Sequence, residues 1–103
     1  MDIYSVTKEE LFENLTDICY ELSEDSEYII GAVFKEFDND KGVIIEKQDN
    51  YLALIPISDQ NGQYKAYAPT IRFDLSDPTW NKDGDFYPAL LAEEVCKTIK
   101  RQF

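Results

Sequence analysis

Apolar residues near the start of the chain recur at helical spacing. Leu11, Leu15, Ile18 and Leu22, flanked by Phe12 and Cys19, form one stripe that predicts a helix over Thr7–Leu22. Thr7 suits the N-cap: Glu10 stands at N3 to complete a capping box, and Val6 and Leu11 are spaced as a hydrophobic staple. Ser23-Glu24-Asp25-Ser26 ends the element with side chains that compete for backbone hydrogen bonds. In the next segment, Glu27–Phe37, the spacing of Ile29, Ile30, Val33, Phe34 and Phe37 also fits a helix. Gly31, which costs a helix interior about 1 kcal/mol, and the turn signal Asp38-Asn39-Asp40-Lys41-Gly42 decide for a strand.

Val43–Gln48 and Tyr51–Ile57 read as a hairpin closed at Asp49-Asn50, residues that tolerate positive φ. A two-residue turn pairs Ile45 with Leu54 and Val43 with Pro56, which puts Val43, Ile45, Leu52 and Leu54 on one face. After a turn at Asn61-Gly62, Tyr64–Leu75 reads as one strand whose alternation slips at Pro69, since proline cannot donate to a ladder. Ser76–Gly84 reads as a loop. A last helix is expected from about Asp85 to the end, with Pro88 in its first turn and Leu91, Val95, Ile99 and Phe103 as its stripe. Together these elements predict one α+β domain over residues 1–103: an N-terminal helix, an antiparallel three- or four-stranded meander and a C-terminal helix in two layers. Both helices are expected on one sheet face. Ile29, Val33, Ile44, Ile55 and Ile57 then fall on the other, and a homodimer is the simplest cover for it.

Composition changes this picture in one respect, which is charge. With 44% hydrophobic and 14% aromatic residues the chain is globular, yet it carries a net charge of -11. Twelve acids and three bases lie in residues 1–42, against nine and seven in the remainder. Such a field repels nucleic acid and anionic membrane and favours a basic protein partner. No apolar run reaches membrane-spanning length, and the start Met1-Asp2-Ile3-Tyr4 does not read as a leader, so a cytoplasmic protein is expected. Cys19 and Cys96 fall on apolar helix faces as free thiols, and no disulfide framework is indicated.

The candidate chemistry is narrow. Without histidine the chain lacks the commonest general base and transition-metal ligand, and no glycine-rich phosphate loop or Cys-x-x-Cys spacing is present. The loops Asp38-Asn39-Asp40 and Asn81-Lys82-Asp83-Gly84-Asp85 offer oxygen ligands but fail the EF-hand pattern. No cofactor, no metal and no catalytic residue is therefore expected. The remaining constellation is Glu9, Glu13, Asp17 and Glu21, four carboxylates at i,i+4 that weaken an isolated helix by a few tenths of a kcal/mol per pair. Glu10, Glu24, Asp25 and Glu27 broaden it.

The row is either a solvated helix face or a surface directed at a partner, a nuclease or another nucleic-acid-binding protein. In the second case the chain compares, by charge and size alone, with small acidic inhibitors of the anti-restriction, anti-CRISPR or immunity type. The other reading is a structural or assembly protein that oligomerises through its sheet, with charge serving solubility. Trp80, near Phe86 and Tyr87, is read as an interface anchor or as a lid on the core.

Overall fold

Thr7 separates two elements. Before it lies a short strand, β1 (Ile3–Val6), and after it a helix, α1 (Lys8–Glu24). Its hydroxyl accepts the Glu10 N–H at 3.1 Å while Glu10 Oε1 accepts the Thr7 N–H at 3.1 Å, so the capping box forms as its spacing predicts. The next orphan donor of the helix start, the Lys8 N–H, is met by the Glu36 carboxylate at 2.9 Å. The computed structural model describes all residues 1–103.

A strand follows where the ambiguous segment lies, β2 (Ile29–Phe34), running into a single 3-10 turn at Lys35–Phe37. The hairpin is β3 (Lys41–Gln48) and β4 (Tyr51–Gln60), with Ile45 opposite Leu54 and Val43 opposite Pro56, the register expected from a two-residue turn. Asp49 takes the positive φ, at 53°. The stretch expected as one strand is two, β5 (Gln63–Ala66) and β6 (Ile71–Asp74), both paired to β4 on either side of the break at Pro69. The expected loop holds a small hairpin, β7 (Asn81–Lys82) and β8 (Asp85–Phe86), turned by Asp83 and Gly84 at positive φ. The last helix, α2 (Pro88–Gln102), begins at proline itself, three residues later than expected, because Asp85 and Phe86 are held in that hairpin.

The class is α+β, with a six-stranded sheet ordered β1-β2-β3-β4-β5 and β6 also on β4. It is wider than the meander predicted, and one pair is parallel: β1 lies alongside β2, with Ile3 opposite Gly31 and Val6 opposite Phe34. Periodicity within four residues carries little signal, and the partner of β1 lies beyond the whole of α1.

Both helices cover the same sheet face. Leu15, Leu22, Val95 and Ile99 meet Phe34, Val43, Ile45, Leu52 and Leu54 in one core, each at most 1% exposed. Truncating one such leucine to alanine costs about 2–5 kcal/mol. The ring of Phe103 stands edge-on to Phe34 at 5.1 Å and closes the core at one end. On the opposite face Val33, Ala53 and Ile57 are buried without a helix over them, while Ile3, Ile29 and Tyr51 remain 38–44% exposed. There the Tyr64 hydroxyl donates to the Asn39 carbonyl at 2.8 Å, tying β5 to the turn that follows β2. No helix is long and apolar enough to cross a membrane.

Gly42 sits where β2 and β3 approach most closely. A Cβ there would lie 1.9 Å from the Ala32 carbonyl oxygen, so a ladder strand would have to move. Gly42→Ala is expected to destabilise the protein by about 2 kcal/mol or more and to lower Tm by roughly 8 °C or more. A melt superimposable on the parent's would refute this close contact.

Candidate acidic binding surface

An α-helix turns 100° per residue, so residues four apart drift by about 40° around the axis. Glu9, Glu13, Asp17 and Glu21 are all exposed, but the drift divides them. Asp17 and Glu21 share a side of α1 with Glu10 and Asn14 and line an open groove, whereas Glu9 and Glu13 do not line it. The groove has a volume of about 360 Å³ and runs between α1 and the sheet margin. Its floor is apolar: Leu11 and Ile18 from the helix, Val6 from β1, Ile30 and Ala32 from β2. Tyr4 and Tyr28 complete the wall, and no lysine or arginine lines it.

The carboxylates of this surface lack ion-pair partners. Both ion pairs in the structure lie on α2, where Lys97 approaches Glu93 at 3.6 Å and Glu94 at 3.5 Å. Lys8, the first residue of α1, and Lys100 of α2 lie instead over the rings of Phe37 and Phe12 at 5.5 and 5.4 Å. Glu10 is held below the usual carboxyl range, chiefly by the Thr7 backbone N–H it accepts, with a smaller contribution from Lys35. Tyr28 is pushed up, first by burial and then by the charge of Glu21 across the groove. The last turn of α1 contains no base, so Glu21 and Glu24 oppose the helix dipole where α2 places Lys100 and Arg101 to favour it.

The other expected site residues have different fates. Asp25 caps the helix, its N–H donating to the Glu21 carbonyl at 2.9 Å, and its carboxylate accepts the Glu27 N–H at 2.9 Å. Glu24, Asp25 and Glu27 are exposed beyond the groove and extend the acidic surface without lining it. Trp80 does not join them. It is 5% exposed, packs edge-on to Phe73 at 6.3 Å, and donates its indole N–H to the Asp74 carbonyl at 2.8 Å. Of the two roles weighed for it, the lid on the core is the one its burial matches.

The acidic loops are turns, with Asp38, Asn39 and Asp83 at positive φ, and no three metal-ligating side chains cluster anywhere. Cys19 is buried and its thiol is pushed up to about 12 by that burial, and both cysteines are free. Sequence reasoning missed β1, which brings Tyr4 and Val6 to the groove. The available signal was Ile3-Tyr4-Ser5-Val6, an uncharged β-forming run ahead of the cap.

No family model matches the chain, and no solved structure matches it. Among curated proteins the chain is 39% identical over 49 residues to proteins of Rickettsia bellii, Rickettsia rickettsii and Rickettsia prowazekii that bear the name pyruvate, phosphate dikinase regulatory protein. The match covers 48% of this chain and 18% of each of those proteins, so the chain spans about a fifth of the length of the relatives it matches.

Because the folded pKa of Glu10 is depressed, the stabilisation from its capping bond is fully present above the ordinary value of 4.5 and is lost as pH falls through the folded value. Glu10→Ala is thus expected to lower Tm more at pH 7 than at pH 3. An equal Tm difference at both pH values would show that the charge of Glu10 contributes nothing to the cap. Cys19, buried and held as a thiol, is expected to resist a thiol reagent at pH 8 until the protein is unfolded. Labelling of both cysteines in the native protein would contradict that burial.

Proposed function

We propose that this chain is a non-catalytic binding protein that presents the acidic side of α1 to the basic surface of a nucleic-acid-handling protein and inhibits it by competition. One observation carries the reading: no carboxylate of α1 forms a salt bridge, while both ion pairs of the chain lie on α2 and Lys8 and Lys100 rest on aromatic rings. Four helical residues rise about 6 Å, of the order of the separation between successive phosphates on a strand. At that rise, neighbouring acids such as Asp17 and Glu21 would meet a basic groove much as successive phosphates do. They follow one another along a single helix rather than facing one another across a cleft, which suits attraction and not proton transfer. The part-length likeness to proteins named for regulating a dikinase is consistent with a regulatory role.

The apolar second sheet face favours an alternative, self-association through Ile3, Ile29, Ile44 and Ile55, whose neighbours Glu46, Gln48 and Arg72 form a small polar network at its margin. Sedimentation equilibrium at micromolar concentration separates the two, since a 12.0 kDa monomer removes the second reading.

The test of the first is capture from a cell extract on the immobilised protein, followed by elution in a salt gradient. Basic nucleic-acid-binding proteins are expected to be retained and to elute as ionic strength rises. A variant with Glu9, Glu13, Asp17 and Glu21 all changed to glutamine should fold at least as stably and retain less than about a tenth as much of them. Equal retention by that variant would end the mimic reading.

A further inference from the structure

β1 forms one margin of the sheet, pairing with β2 on one side only. Proteins blunt such edges with short strands, lysine, proline, a bulge or a covering loop. The strands β1, β5 and β6 are equally short at four residues each, so charge is what distinguishes them. At the opposite margin β5 carries Lys65 and β6 carries Arg72. Ile3-Tyr4-Ser5-Val6 has neither charge nor proline, and its register against β2 is regular from Ile3 to Val6. The Gly31 N–H donates to the Asp2 carbonyl at 3.1 Å, which in a parallel ladder turns the N–H and C=O of Ile3 and Ser5 away from β2. Tyr4 and Val6 point to the other side, into the groove that Asp17 and Glu21 border.

A strand laid on this edge would send alternate side chains into that groove. We propose that the free edge of β1 and the groove beside it receive an extended segment of a basic protein, paired through the backbone of Ile3 and Ser5. Its groove-facing lysines or arginines rest their aliphatic stems on Val6 and Ile30 and bring their charged ends to Asp17 and Glu21. Charge complementarity selects this occupant: the walls supply carboxylates and no base, so an acidic or purely apolar segment leaves them unanswered. The inference rests on the reading of α1 as a surface for a basic partner and adds how that partner is held.

The probe is a synthetic peptide of about nine residues in which lysine alternates with threonine, compared with the same composition in two blocks and with a cationic amphipathic helical peptide. Binding is followed by fluorescence anisotropy at low salt, and amide exchange by NMR. The alternating peptide is expected to bind about tenfold more tightly than either control and to slow exchange at Ile3 and Ser5 by about tenfold or more. Ser5→Pro removes an outward N–H at a position where an edge strand tolerates proline, and is expected to abolish that preference. The double variant Asp17→Asn, Glu21→Gln should weaken binding as well.

If the double variant weakens binding while Ile3 and Ser5 exchange as before, strand pairing is overturned and the acidic surface stands. Tighter binding of the helical peptide overturns the extended occupant in the same way. If the double variant binds every peptide as the parent does, the acidic surface falls too. The exchange measurement uses the parent protein, so the result does not depend on Ser5→Pro folding.

Discussion

Eight cross-strand pairs join β3 to β4, from Lys41 opposite Ser58 to Gln48 opposite Tyr51, and every other strand of the six-stranded sheet takes its position from that ladder. β2 is aligned by β3, β1 by β2, and β5 and β6 both by β4. The ladder also decides which residues meet the helices. A slip of one residue exchanges Val43, Ile45, Leu52 and Leu54 for Ile44, Ala53 and Ile55. Since both sets are apolar, hydrophobicity alone opposes the slip weakly. Two local features hold the register instead: the turn at Asp49, with its positive φ, and Gly42, whose missing side chain lets β3 pass against Ala32 and Val33.

The two helices on that sheet follow different electrostatic rules. α2 has i,i+3 and i,i+4 pairing through Lys97 and cations at its C-terminal end, arrangements worth a few tenths of a kcal/mol each. α1 has neither, and tolerates repeated like charges because its stability comes from elsewhere. Leu15, Cys19 and Leu22 are buried to 1% exposure or less, and the Thr7–Glu10 box with Glu36 satisfies its N-terminus. Side-chain burial at about 1.5–3 kcal/mol per residue outweighs repulsion that is an order of magnitude smaller. The core thus leaves the outer side of α1 free to be acidic.

Much of this fold was legible because it is local. The helix stripes, the capping box and the Asp49-Asn50 hairpin each depend on residues within a few positions of one another, and each is found where its spacing predicts. The strand at Ile29–Phe34 was decided by Gly31, which lies opposite Ile3 with its would-be Cβ only 3.0 Å from that side chain. What escaped was set by distant partners. β1 is four residues long and exists only through β2, and β7 and β8 are two residues each. The carboxylate row was legible as a pattern. Helix drift separates Glu9 and Glu13 from Asp17 and Glu21, but that the second pair borders a groove was not legible, because β1 supplies the groove's other wall. Trp80 stands in polar sequence, yet its environment comes from Phe73 and the Asp74 carbonyl.

The parallel pairing of β1 also bears on the order in which the molecule assembles. The β3–β4 hairpin closes over a two-residue turn, and β2 follows through a short connection, but Ile3 meets Gly31 across the whole of α1. Contacts of such sequence separation come late, since the entropy of closing the long loop must be met before they contribute. The margin is also held by pairing on one side only, which marks it as the part of the sheet most readily opened. With Ile3, Tyr4 and Ser5 all exposed, its opening would disturb little of the core beneath α1 and α2. An opening of this kind would take away the groove wall formed by Tyr4 and Val6 and leave the core under the two helices in place.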